Sequence, residues 1–208
     1  PFPIEAAIYI SSKICEGLAY AHEMKDPDGQ PLHAVHRDVS PPNVLISKHG
    51  EIKIVDFGLA KLSGDDGALQ LTRTDQAMGT LRYMAPEQLE RPREVDHRAD
   101  LFSLGVIFYE MLTGHVPAGV VEPPSRIAGV DAGIDDVVLS ALEREPGRRP
   151  QSGRDGQVSM LLLLHRAAAQ VLALLENLHG ATADVRGETG APRALCTCIA
   201  ASRPASTA

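Results

Sequence analysis

Residues 36–43 read HRDVSPPN, and residues 52–58 read IKIVDFG. Between these stretches, Val44–Ile46 and Glu51–Val55 are short runs rich in β-favouring residues. They are joined by a turn in which Gly50 can take the positive φ that a tight turn needs. The sequence therefore predicts a small β-hairpin that brings a polar loop and the end of an apolar strand to the same place.

Three polar residues border this hairpin: Asp38 and Asn43 before it and Asp56 after it. An aspartate in a loop can accept the proton of an attacking hydroxyl group. An asparagine amide oxygen and a second carboxylate can hold magnesium against phosphate oxygens. We therefore expect two acids and one amide to converge at the hairpin.

Apolar periodicity predicts helices around the hairpin. Ile4–Glu23 carries apolar residues at spacings of three and four, and Ala99–Leu112 is continuously apolar and followed by Gly114. Ile134–Glu143 is a third helical segment. In contrast, the prolines in Val116–Ala132 predict a loop there.

Composition restricts the class of protein. The net charge of -7 argues against nucleic acid as a partner, because binding to phosphate backbones is built from lysine and arginine. Cys15, Cys196 and Cys198 are too few and too poorly placed for a disulfide framework, so we expect free thiols and a cytoplasmic location. The apolar stretch from Val158 to Leu178 is interrupted by charged and polar residues, so no membrane span is expected.

The order of the motifs carries a family resemblance. H-R-D-x-x-x-x-N at residues 36–43, D-F-G at residues 56–58 and A-P-E at Ala85–Glu87 together resemble the protein kinase superfamily, over roughly residues 1–151. No glycine-rich loop and no V-A-I-K-like strand lysine precede them in the sequence. The resemblance is to the C-terminal lobe of a bacterial eukaryotic-like Ser/Thr kinase, and we expect the N-terminal lobe to be absent from this chain.

The resemblance implies a fold and a division of the chain. The expected fold is mainly α, a helical bundle with a small β-hairpin at the catalytic cleft, over residues 1–156. Residues 157–180 are rich in leucine and predict one further helix. The apolar face of this helix would need a partner surface to pack against. Residues 181–208 have no periodicity, so we do not expect them to be ordered.

The resemblance also implies cofactors and the residues that hold them. Asp38 would act as the base or orienter for the substrate hydroxyl. Asn43 and Asp56 would ligate Mg²⁺ bridging the phosphates of ATP. Leu45 would lie beneath the adenine ring.

Five residues have expected structural roles in such a kinase lobe. His36 and Phe57 would pack against each other, and Asp100 would brace the backbone of the catalytic loop. Glu87 and Arg149 would form a buried ion pair, in which the loss of one partner would leave an uncompensated charge.

The resemblance implies a regulatory segment between the D-F-G and A-P-E motifs. Arg37 would pair with a phosphate carried by this segment. Thr72 and Thr74 are the candidate phosphorylation sites, with solvated loop threonines as the alternative interpretation. Thr80 would shape the substrate pocket and contact the catalytic aspartate.

The catalytic loop indicates which amino acid of the substrate would receive the phosphate. Tyrosine kinases of this family usually carry an arginine two or four residues after the aspartate, where this chain has Ser40 and Pro42. Ser40 also replaces the lysine common in Ser/Thr kinases, and residues 25–35, KDPDGQPLHAV, resemble an insertion of a bacterial subset. We therefore expect protein substrates with Ser or Thr acceptors.

Two hypotheses remain open at the level of sequence. In the first, the chain is part of a kinase that transfers the ATP γ-phosphate when complete and is inactive as an isolated fragment. In the second, it is a non-catalytic regulatory or scaffold lobe that binds protein partners. The surface around Leu45 and Phe57 would favour a complementary N-terminal lobe or self-association. The protein substrate, the regulatory input and the effect of Ser40 do not follow from sequence.

Overall fold

The computed structural model describes residues 1–57, 79–160 and 162–163. Helices predominate in this part of the chain, and a two-stranded sheet accompanies them. The elements are α1 (Ile4–His22), β1 (Val44–Ile46), β2 (Ile52–Ile54), α2 (Pro86–Glu90), α3 (Arg98–Thr113), α4 (Pro124–Ala128) and α5 (Gly133–Ala141), followed by helical residues 153–160. Single 3₁₀ turns occur at Pro41–Asn43, Leu81–Tyr83, Pro92–Glu94 and Pro146–Arg148.

Helix α3 forms the centre of the core. Thirteen of its sixteen residues are buried, which is the pattern of a helix surrounded by other elements on all sides. Helix α1 packs against it and contributes Ile14 and Leu18, both fully buried. Helix α3 ends at Gly114, whose φ of 81° lies in the left-handed region, as the sequence predicts.

The hairpin forms as predicted, although β2 is shorter than expected. The strands are antiparallel, with Val44 opposite Ile54 and Ile46 opposite Ile52. Gly50 has a φ of 82°, which relieves the turn of the steric strain that a side chain would bring. Because Ile54 approaches α1 closely at Gly17, the hairpin is fixed to the helical core.

The prediction of a loop throughout residues 116–132 is wrong, because this segment contains α4. Proline is tolerated in the first turn of a helix, so Pro124 starts α4 instead of preventing it. Gly129, with a φ of 65°, ends the helix. Asp135 in α5 accepts hydrogen bonds from the Ser125 backbone N–H at 2.9 Å and the Ser125 Oγ at 2.6 Å, which joins the two helices.

The last described helix begins at residue 153, four residues before the predicted start of the leucine-rich segment. It packs on α1, where Gly156 lies close to the sulfur of Cys15. Cys15 is a buried free thiol, and desolvation by burial raises its pKa to about 12.

Residues 164–180 and the tail at 181–208 lie outside the described part of the chain. Over the described residues, no helix combines the length and the apolar character that a bilayer crossing requires.

The predicted ion pair between Glu87 and Arg149 is present and buried. The Arg149 Nη1 and Nη2 atoms lie 2.6 and 2.8 Å from the two carboxylate oxygens of Glu87, and the Arg149 and Glu87 side chains are 0% and 3% exposed. Arg149 donates further hydrogen bonds to the carbonyl groups of Glu143, Arg98 and Arg144. The pair thereby connects α2 to the start of α3 and to the segment after α5.

We expect Gly153→Ala to lower the free energy of unfolding by about 1–3 kcal/mol, as overpacking of a close contact does. A Cβ at residue 153 would lie 2.8 Å from both the Ala19 nitrogen and the Cys15 carbonyl oxygen. These are backbone atoms, so they cannot move aside as a flexible side chain can. Chemical denaturation followed by circular dichroism measures the change. Gly147→Ala is the matched control, because a Cβ there meets no atom within 4 Å. Equal losses in both variants would contradict the close contact.

We expect Arg149→Met to lower the free energy of unfolding by roughly 3–5 kcal/mol, because it leaves the buried Glu87 carboxylate uncompensated. The double variant with Glu87→Gln should lose less than the sum of the two single losses. Urea denaturation measures both quantities. Arg154→Met is the control, since it removes an exposed ion pair with Glu23 and should have a much smaller effect. A loss from Arg149→Met no larger than that of the control would disprove the structural role of the pair.

Candidate active site

The loop at residues 36–43 is held by one buried carboxylate. Asp100, in the first turn of α3, is fully buried. Its Oδ2 accepts the backbone N–H of His36 and its Oδ1 accepts that of Arg37, each at 2.8 Å. The predicted contact between Asp100 and the backbone of this loop is therefore present.

A third donor to Asp100 was missed by the sequence reasoning. His22, at the end of α1, has its Nε2 atom 2.8 Å from the Oδ2 of Asp100, and its side chain is only 8% exposed. A carboxylate accepts hydrogen bonds, so His22 must carry a proton on Nε2. No periodicity in α1 distinguishes a histidine that faces a carboxylate 78 residues further on, so only the fold reveals this contact.

His36 connects the loop to the far strand of the hairpin. Its ring is buried, and Nε2 lies 3.0 Å from the carbonyl oxygen of Val55. Its Nδ1 accepts the backbone N–H of Asp38 at 3.3 Å, which leaves Nε2 as the protonated atom. The ring also contacts that of Phe57, with centroids 4.4 Å apart and a tilt of 48°. The expected packing of His36 against Phe57 is thus observed.

The three polar residues predicted to converge are joined through the backbone. The Asn43 Nδ2 donates to the carbonyl oxygen of Asp38 at 2.8 Å. The Val55 N–H donates to the carbonyl oxygen of Asn43 at 3.0 Å, which brings the next residue, Asp56, beside the loop. The Oδ1 atom of Asp38 is buried and makes no hydrogen bond within the described chain. A buried carboxylate oxygen without a hydrogen-bond partner indicates an atom that can accept a hydrogen bond from a bound group, such as a hydroxyl.

Two residues of this site adopt a backbone conformation that L residues rarely take. Arg37 has a φ of 64° and Asp56 a φ of 58°. Each such residue stores conformational strain of about 1–3 kcal/mol, which persists only where the surroundings fix the backbone. The Nε atom of Arg37 is buried without a hydrogen-bond partner in the described residues, so its guanidinium group retains donor capacity.

Asn43 and Asp56 carry oxygen atoms of the kind that magnesium binds. Asp56 is exposed, and Asn43 uses its amide nitrogen within the loop, which leaves Oδ1 as the atom that could meet a cation. No three His, Cys, Asp or Glu residues of the described ranges form a metal site. Magnesium is commonly held by one or two protein carboxylates together with waters and phosphates, so a small ligand set fits it. Leu45, on β1, is 53% exposed and presents apolar surface on the hairpin.

The segment before α2 is attached to the core. Thr80 precedes the 3₁₀ turn at Leu81–Tyr83. The Tyr83 hydroxyl donates to the Oε2 of Glu110 in α3 at 2.7 Å, and burial, followed by this hydrogen bond, raises the pKa of Tyr83. Thr72 and Thr74 lie outside the described residues.

Gln88 is a second residue that the sequence reasoning missed. It is 5% exposed, and its amide reaches the backbone of Arg37. A glutamine directly after A-P-E has no local signal for this contact, because its partner is 51 residues earlier in the chain.

The comparisons with known proteins agree with the motifs. A family model described as protein kinase domain matches residues 1–140. Serine/threonine-protein kinase PknB of Mycolicibacterium smegmatis is 34% identical over 177 residues, covering 77% of this chain and 27% of that protein. Serine/threonine-protein kinase A of Synechocystis is 38% identical over 172 residues, covering 73% of this chain and 32% of that protein.

A further relative carries a different name. Tyrosine-protein kinase MasK of Myxococcus xanthus is 46% identical over 164 residues, covering 72% of this chain and 24% of that protein. The chain thus spans about a quarter to a third of the length of these curated relatives.

Solved structures give the same result for the fold. The PknI kinase domain of Mycobacterium tuberculosis superposes with a TM-score of 0.54 at 27% identity, covering 76% of this chain and 55% of that one. A double mutant of the same domain gives a TM-score of 0.58 at 26% identity, covering 78% of this chain and 56% of that one. With the family model matching most of the chain, this protein belongs to the protein kinase family and is related to bacterial Ser/Thr kinases.

Proposed function

We propose that this chain is the C-terminal, catalytic-loop lobe of a Ser/Thr protein kinase that transfers the γ-phosphate of ATP to protein substrates. The observation that carries the proposal is the hydrogen bond from Asn43 to the Asp38 carbonyl in a loop that Asp100 fixes, together with the bond from Val55, the residue before Asp56, to the Asn43 carbonyl. The predominance of helices around one small hairpin supports the assignment to this lobe.

In the proposed site, Asp38 orients the substrate hydroxyl and accepts its proton. Its buried, unpartnered Oδ1 supports this role, because the atom lacks a donor until a hydroxyl arrives. Asn43 and Asp56 would hold Mg²⁺, which neutralises the charge that develops on the transferring phosphoryl group. Leu45 would pack beneath the adenine ring. Asp100 keeps the loop in position without touching substrate.

Arg37 would bind a phosphate group carried by the segment between D-F-G and A-P-E. Its unpartnered, buried Nε and the donor geometry of a guanidinium group support this role. We propose Thr72 and Thr74 as the phosphorylated residues and Thr80 as a residue that shapes the substrate pocket.

The same proposal implies that the isolated chain transfers little phosphate. Phosphoryl transfer depends on positioning and on charges around the phosphates, and no glycine-rich loop or V-A-I-K-like strand lysine precedes residues 36–43 in this sequence to supply them. A complementary lobe that brings these elements would therefore be needed for activity.

Tyrosine is a second candidate acceptor, and the name of MasK is the observation that favours it. Ser40 and Pro42 argue for Ser or Thr, since neither is the arginine that tyrosine kinases usually carry there. The two candidates differ in the residue that becomes phosphorylated, so one product analysis separates them.

We expect a protein that joins this chain to an ATP-covering lobe to phosphorylate itself or a generic basic protein on Ser and Thr. Asp38→Asn should lower kcat by at least about 100-fold, the usual contribution of a positioned base. Transfer of radiolabelled phosphate followed by phosphoamino acid analysis gives the rate and the acceptor. Asp28→Asn is the matched control, because Asp28 is exposed in the loop at residues 25–31.

Three outcomes decide the proposal. Phosphotyrosine alone would exclude the Ser/Thr assignment and favour the second candidate. Activity equal in the Asp38→Asn and Asp28→Asn variants would exclude the catalytic role of Asp38. Strong transfer by the 208-residue chain alone, lost in Asp38→Asn, would disprove the need for a second lobe.

A further inference from the structure

Gln88 occupies a position between two parts of the candidate site. It lies in α2, directly after Glu87, and is 5% exposed. Its Oε1 accepts the backbone N–H of Ala85 at 2.9 Å, and its Nε2 donates to the carbonyl oxygen of Arg37 at 2.8 Å. Both ends of the amide therefore form hydrogen bonds. In the flipped orientation, the amide nitrogen would face the Ala85 N–H and the amide oxygen would face the Arg37 carbonyl oxygen, so neither bond could form.

The backbone of Arg37 is held from both sides. Asp100 accepts its N–H, and Gln88 donates to its C=O, each at 2.8 Å. Between these two hydrogen bonds, Arg37 adopts a φ of 64°. A non-glycine residue keeps this conformation only where its surroundings enforce it, and these two side chains supply the hydrogen bonds that do so.

The fixed backbone of Arg37 also determines the orientation of Asp38. The carbonyl group of Arg37 belongs to the peptide unit that continues into Asp38, so the orientation of this peptide sets the direction in which Asp38 leaves the loop. Gln88 binds the C=O of that peptide from α2 and His36 Nδ1 accepts its N–H at 3.3 Å, whereas Asp100 fixes the preceding peptide from α3. The backbone of Ala85, where the A-P-E motif begins, is fixed by the same Gln88 amide.

We propose that Gln88 is a positioning residue that holds the Arg37–Asp38 peptide and couples the start of α2 to the catalytic loop. Its effect on phosphoryl transfer rests on the function proposed above, because it acts through Asp38. Its effect on the loop itself does not depend on that function. The structural part of the proposal can therefore be tested without any activity.

The direct test is Gln88→Glu in the 208-residue chain. The introduced carboxylate can still accept the Ala85 N–H, but it has no donor for the Arg37 carbonyl and would repel that oxygen. We expect the backbone amides of His36 and Arg37 to exchange with deuterium roughly ten-fold faster, the effect of one lost hydrogen bond at a local opening. Amides in the interior of α3, such as that of Phe108, should keep their wild-type rates.

Two further variants make the result decisive. Gln88→Met removes both hydrogen bonds without burying a charge, so it replaces Gln88→Glu if that variant fails to fold. Gln151→Glu is the matched control, because this glutamine also donates its amide to backbone carbonyl groups, which are those of Pro146, Gly147 and Arg149. It should leave the exchange of His36 and Arg37 unchanged.

In a kinase that contains this chain and an ATP-covering lobe, Gln88→Glu should lower kcat about ten-fold and leave KM for ATP within about two-fold. Unchanged exchange of the His36 and Arg37 amides in a folded variant would overturn the proposal. The proposal would also be overturned if the exchange rates of these two amides rose by the same factor as that of the Phe108 amide, because this result indicates a loss of global stability alone. Absence of activity in the parent kinase would contradict the proposed function and leave the exchange measurement to decide the role of Gln88.

Discussion

The buried carboxylate of Asp100 is the interaction on which the candidate site depends. It receives three donors, the backbone N–H groups of His36 and Arg37 and the ring of His22. A buried charge is tolerated only where hydrogen bonds replace its lost hydration, and these three donors do so. Because Asp100 lies on the central helix of the core, its hydrogen bonds attach the loop directly to that helix.

The strained backbone of the site follows from this arrangement. Arg37 and Asp56 both have positive φ; Arg37 directly precedes Asp38, and Asp56 is itself a predicted magnesium ligand. The Arg37 backbone is fixed by Asp100 and Gln88, and the strand before Asp56 is fixed through Val55, which bonds to Asn43 and His36. Groups held in advance need no reorganisation when a ligand arrives, which is the condition under which charges stabilise a transition state well.

Much of the architecture could be predicted, because its signals are local or carried by family motifs. The hairpin, the two long helices and the Gly114 cap follow from periodicity and turn chemistry, and the Glu87–Arg149 pair follows from the kinase resemblance. Helix α4 does not follow from the sequence, because the prolines of residues 116–132 favour a loop, although Pro124 occupies the first turn, where a helix accepts proline. The contacts of His22 and Gln88 have no local signal, since each joins residues more than fifty positions apart.

The central claim is that the loop at residues 36–43 is held in place by side chains of the core before any ligand binds. The most direct measurement is site-resolved deuterium exchange of the His36 and Arg37 amides in the wild-type chain without nucleotide. The account predicts protection close to that of amides inside α3, because both N–H groups are bound to a buried carboxylate. Exchange as fast as that of the exposed loop at residues 25–31 would contradict it.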